Sequence, residues 1–113
     1  MEILQIPITV GSLVEQYQND FSDMVKGVVD VERELLAIDA ELHSDLEALL
    51  LDNGSRQENL WGINLYPDEE GEDFIEFDSL INIRPLQGNR GRGVSDPEIQ
   101  KKIRDVVNKW IPE

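Results

Sequence analysis

Between residues 60 and 84 apolar and polar side chains alternate, and this alternation limits the fold more than any other feature of the chain. Trp61, Ile63 and Leu65 alternate with Gly62, Asn64 and Tyr66. Ile75, Phe77, Ile81 and Ile83 alternate with Glu76, Asp78, Asn82 and Arg84, with Phe74, Ser79 and Leu80 blurring the pattern. A period of two marks a strand with one buried face. The run 67–73 is charged and turn-rich, so 60–66 and 74–84 read as two strands of one hairpin. Its polar face would carry Asn64, Glu76, Asn82 and Arg84.

The period then changes. Ile99, Ile103, Val106 and Trp110 form a helical stripe, with Lys101, Lys102, Arg104 and Lys109 off it. Ser95-Asp96-Pro97-Glu98 supplies a cap, a first-turn proline and acids at the positive end of the helix dipole. Near the N-terminus, 3–8 is β-prone but broken by Pro7, which suits an edge strand or an extended arm within 1–10. Ser12 and Glu15 form a capping box ahead of Leu13, Tyr17, Phe21 and Met24, predicting a helix from 13 to about 24. Two readings are open for 31–51. One is a strand pair, 27–33 and 35–42, followed by a helix over 45–52 that Ser44 and Glu47 cap and Asn53-Gly54 ends. The other is a single long helix through Leu35, Ile38, Leu42, Leu46 and Leu49. The first is preferred.

The expectation is a single α+β domain over 1–113, with about four mostly antiparallel strands and three helices covering one face. Its core would hold Leu13, Tyr17, Val29, Val31, Leu36, Ile38, Leu46, Leu49, Trp61, Ile63, Leu65, Ile75, Phe77, Ile81, Ile83, Ile99, Ile103, Val106 and Trp110. A chain of 113 residues is long enough for one real core without staples.

Charge is uneven. Residues 1–83 hold 20 acids and 3 bases, while 84–113 hold 7 bases and 4 acids, together a net −14. Such a body repels nucleic acid and anionic lipid, and only the last quarter attracts phosphate. With no cysteine there is no disulfide, thiolate metal site or cysteine nucleophile, which suits a reducing compartment. The N-terminus lacks the pattern of a signal peptide, and no run approaches about 18 apolar residues. The expected location is the cytoplasm.

The segments Glu-Leu-His-Ser-Asp (41–45), Asn-Leu-Trp-Gly-Ile-Asn-Leu-Tyr-Pro (59–67) and Ser-Leu-Ile-Asn-Ile-Arg-Pro-Leu-Gln-Gly-Asn-Arg (79–90) carry a resemblance. Across roughly 24–110 the chain resembles a family of small prokaryotic proteins known only as a domain of unknown function. Members often have Gly-Gly-Glu-Leu-His where this chain has Asp39-Ala40-Glu41-Leu42-His43. A glycine pair sits badly inside a long helix, so the resemblance implies the strand-then-helix reading. It implies no activity, cofactor or catalytic residue.

Two segments carry candidate chemistry. His43 is the only histidine, and Glu41, Asp45 and Glu47 flank it. Such a set suits acid–base work, with His43, Glu41 and Asp45 as catalytic candidates. The plainer reading makes Asp45 and Glu47 helix-terminal acids and His43 half-buried. The pattern is neither HExxH nor a structural zinc motif, so no metal is expected, and no cofactor. The second segment combines Arg84, Gln87, Asn89, Arg90 and Arg92 with interspersed glycines, which suits a small anion held by forked guanidinium groups and backbone amides. Its plainer reading is a connector whose arginines balance the acidic body. Walker, GxGxxG and Gly-x-Ser-x-Gly motifs are absent.

The leading functional expectation is a small soluble interaction or regulatory protein whose acidic surface meets a protein partner or a second copy of itself. The alternative is a small enzyme or binding protein for an anionic, phosphorylated or carboxylated substrate, using the 84–92 loop and His43. Neither membrane nor nucleic acid is an expected partner. Convergence of His43 with the arginines on one cleft would favour the alternative.

Overall fold

The computed structural model describes residues 1–17 and 23–112. Its elements are β1 (Glu2–Ile3), α1 (Val10–Tyr17), β2 (Val25–Asp30), β3 (Leu35–Ile38), α2 (His43–Asp52), β4 (Leu60–Leu65), β5 (Ile75–Glu76) and α3 (Pro97–Trp110), with short 3-10 turns between β4 and α3. The fold is α+β, and the sheet is antiparallel throughout, in the order β1-β3-β2-β4-β5. The fifth strand is β1, an edge pairing of Glu2 with Ile38 and Ile3 with Ala37.

The strand-then-helix reading of 31–51 is the observed one. The hairpin between β2 and β3 is set by Asp30, whose Oδ1 accepts from the amides of Glu32 and Arg33, each at 2.9 Å. This Asx-type turn, with Glu34 at φ +55°, closes β2 earlier than the apolar pattern alone implied. Asp39, at φ +74°, turns the chain out of β3 towards α2. Gly54, at φ +103°, stops α2 as expected.

Both serine caps shift. Ser12 lies inside α1 and donates its amide to Thr9 Oγ1 at 3.0 Å, so Thr9 takes the capping role. Ser44 lies inside α2, whose cap position is Leu42 and which begins without a side-chain cap. Met24 lies in no helix, and the stretch of the expected first helix that includes Phe21 lies outside the described residues.

The largest correction concerns 74–84. Pairing stops after Asn64–Glu76 and Leu65–Ile75, and the chain then makes 3-10 turns at Leu80–Asn82 and Pro85–Gln87. Ile83 is therefore 41% exposed rather than in the core, and Ile81 is only partly buried. Helices cover both faces of the sheet, not one. On one face Leu13 of α1 and Ile103, Val106 and Val107 of α3 pack on Val29, Leu36, Ile38, Trp61, Ile63 and Leu65. On the other, Leu46 and Leu50 of α2 pack on Val28, Ala37 and Leu60. The second face has a smaller apolar set because Lys26 and Asn64 interrupt it, and there the cleft lies.

Candidate functional site

A cleft of about 650 Å³ opens beside the start of α2, on the face of the sheet that α2 covers. Five segments distant in sequence build it: Lys26 comes from β2, His43 and Ser44 from α2, Asn64 and Tyr66 from β4 and its exit, Glu76 and Asp78 from β5 and its exit, and Arg92 from the loop before α3. Leu42, Leu80 and Ile81 supply an apolar wall.

His43 is held by its ring. Nε2 lies 2.8 Å from the main-chain oxygen of Ile63. A carbonyl only accepts, so Nε2 carries the proton and the neutral ring keeps its lone pair on Nδ1. Burial pushes the imidazole pKa below its ordinary 6.5; the Ile63 carbonyl opposes this, Lys26 adds to it, and Asn64 and Asp78 oppose it. Burial wins, so the ring is neutral at pH 7, with its proton on Nε2.

The carboxylate side is a connected network. Asn64 Nδ2 donates to Glu76 Oε1 at 2.8 Å and to the carbonyl of Asp78 at 3.2 Å, and the Tyr66 hydroxyl donates to the same Glu76 oxygen at 3.0 Å. Burial first, then this bond to Glu76, raise the Tyr66 pKa. Arg92 Nε donates to Asp78 Oδ1 at 2.7 Å. Asn64 is only 4% exposed, yet its Oδ1 has no hydrogen-bond partner among the described residues, although it sits close enough to favour a charged imidazole. An orphaned buried amide oxygen costs about 1–3 kcal/mol unless something donates to it.

The candidate residues divide. His43 and Arg92 meet in the cleft. Glu41 lines a neighbouring pocket with Tyr17 and Asp39, and Asp45 is exposed in the first turn of α2, lining neither. Arg84 turns inward: it donates to the carbonyls of Gln57 and Leu60, the latter at 2.6 Å, and its guanidinium lies 4.1 Å from the centroid of the Trp61 ring. Burial lowers its pKa, with Glu47 opposing. Gln87 donates to the carbonyl of Glu58. Asn89 is buried and ties its own loop, donating to the carbonyls of Asn82, Gly91 and Gly93 and accepting from Ser95. Arg90 is exposed. The loop thus directs most of its polar side chains to its own framework and sends Arg92 to the cleft.

Sequence reasoning placed Asn64 and Glu76 on one polar face but did not join them to His43, and it brought none of Lys26, Tyr66 and Asp78 to this site. The available signal was Asn64 itself, a polar residue inside an apolar strand. Among the described residues no three His, Cys, Asp or Glu side chains gather as a metal site. No helix is long and apolar enough to cross a membrane.

No curated protein and no solved structure matches the chain. A family model does, over residues 2–110, nearly the whole length. The chain therefore belongs to the family described as protein of unknown function, DUF5674.

Proposed function

We propose that this protein binds a small polar molecule in the cleft between the start of α2 and the 76–80 segment. The observation that carries this reading is the convergence of Lys26, His43, Asn64, Glu76 and Arg92 on one cleft, in which the buried Asn64 amide oxygen has no hydrogen-bond partner among the described residues. A cleft with a few convergent polar groups and an apolar wall is the usual form of a small-ligand site. Recognition of a basic protein partner, which charge alone favours, has less behind it: the net charge of −14 and a few exposed apolar side chains such as Leu80 and Leu86. We place the protein in a reducing cytoplasm, in keeping with its lack of cysteine.

The test is thermal unfolding of the full chain with L-leucine, 4-methylpentanoate, isoamylamine and inorganic phosphate. A ligand that binds only the folded state raises Tm. At least one of the four is expected to raise it. Ser44 is exposed on the cleft wall, so Ser44→Phe fills the cleft without touching the core and should abolish the rise. No rise with any of the four, or an equal rise in the filled variant, contradicts the reading.

A further inference from the structure

We propose that the ligand is a zwitterion of the α-amino-acid type, its ammonium on the Asn64–Glu76 side and its carboxylate on the side of Lys26 and the start of α2. This rests on the cleft being a ligand site. One side of the cleft is short of donors. Asn64 Oδ1 is buried and has no hydrogen-bond partner among the described residues, and Glu76 offers a second carboxylate oxygen beyond the one that holds Asn64 and Tyr66. An ammonium brings three donors and a positive charge to those acceptors.

Lys26 stands directly across the sheet from Asn64, and between it and the start of α2 the cleft is short of acceptors. α2 is 10 residues long and starts without a side-chain cap; the Asp45 amide donates to the Leu42 carbonyl, and no side chain among the described residues accepts from the amides of His43 and Ser44. Lys26 is half-buried and forms no ion pair among the described residues. A carboxylate answers both. The helix start alone would not define a site; the orphaned Asn64 oxygen in the same cleft is the independent sign of a ligand.

Charge decides between a zwitterion and a plain anion. Among the described residues that line the cleft Lys26 and Arg92 balance Glu76 and Asp78, Arg92 is already bound to Asp78, and His43 is neutral. A ligand with net charge would enter a half-enclosed site without a matching counter-charge, which is costly, whereas a zwitterion adds none. A polyanion also meets repulsion from the whole chain. Leu42, Leu80 and Ile81 offer apolar surface for the side chain of the ligand.

The experiment is calorimetric titration of the full chain with L-leucine, with 4-methylpentanoate, which lacks the ammonium, with isoamylamine, which lacks the carboxylate, and with inorganic phosphate. L-leucine should bind tightest, each truncated analogue about tenfold weaker or more, as loss of a charged hydrogen bond requires. Lys26→Met should weaken L-leucine and 4-methylpentanoate and leave isoamylamine unchanged; the analogue series on the unaltered chain gives an answer even if this variant folds poorly. If phosphate or 4-methylpentanoate binds as tightly as L-leucine and Ser44→Phe removes that binding, the zwitterion is overturned and the cleft reading stands. If none of the four binds, both fall.

Discussion

The side-chain amide of Asn82 stands in for a β-strand along the outer edge of Gly62. The Gly62 amide donates to Asn82 Oδ1 at 2.8 Å, and Asn82 Nδ2 donates back to the Gly62 carbonyl at 3.0 Å and to the Arg92 carbonyl at 2.9 Å. Asn82 is fully buried. Asn82→Ala leaves buried backbone groups of β4 without partners, at about 1–3 kcal/mol for each group left unsatisfied. A stability loss of about 2–4 kcal/mol in a urea titration is expected. A loss too small to resolve would mean that water reaches this edge freely.

The close approach requires glycine at position 62. A Cβ there would lie 2.5 Å from Ser79 Cβ and 2.6 Å from Ser79 Oγ. Gly62→Ala should destabilise by about 1–3 kcal/mol, the usual cost of forcing atoms into a packed site. In a Ser79→Gly background most of that clash is gone, so the same substitution should cost clearly less. Equal costs in the two backgrounds would contradict this geometry.

Arg84 does structural work that lysine cannot do. Its planar fork reaches the carbonyls of Gln57 and Leu60 while stacking on Trp61. An ammonium offers neither the fork nor the flat face. Arg84→Lys should therefore cost about 1–2 kcal/mol by denaturant titration and alter the fluorescence of the Trp61 environment. If lysine matches arginine in both measurements, Arg84 is a surface charge only.

His43 gives a pH signature. The folded ring holds its proton less tightly than the unfolded one, so the unfolded chain binds more protons below pH 6.5. The stability contributed by the neutral ring is complete above that value. It falls as the pH drops through 6.5 and levels off below the lowered folded pKa. Because His43 is the only histidine, its ring proton resonance can be followed alone, and its midpoint should lie below 6.5. The stability difference between the wild type and His43→Gln should shrink across the same window. A midpoint at or above 6.5 would contradict the buried, neutral ring.

Much of the fold was legible as period. The apolar alternation of Trp61, Ile63 and Leu65 became β4, and the Ile99–Ile103–Val106 stripe, with Asp96 as cap and Pro97 at the first turn, became α3. The 74–84 strand was not legible as absent. Ile81 and Ile83 keep strand spacing in sequence, but pairing gives way after Glu76, where Asn82 reaches β4 through its side chain instead of its backbone. A hydrophobic pattern does not reveal a side chain doing a strand's hydrogen bonding. The second helix-covered face was hidden for a related reason: Lys26, Gly62 and Asn64 make it look polar, although Val28, Ala37 and Leu60 anchor α2 there. In the cleft, His43 could be found because it is unique and Arg92 because it is basic in an acidic chain. Lys26 and Asp78 could not, since they meet His43 only through sheet order.

The most direct test of the ligand cleft is a map of backbone amide NMR shifts during titration of the full chain with L-leucine. The account predicts that His43, Ser44, Asn64, Tyr66, Glu76, Asp78 and Arg92 move together and saturate with one dissociation constant. Shifts confined to the exposed part of the 84–91 loop, or none at all at millimolar L-leucine, would contradict it.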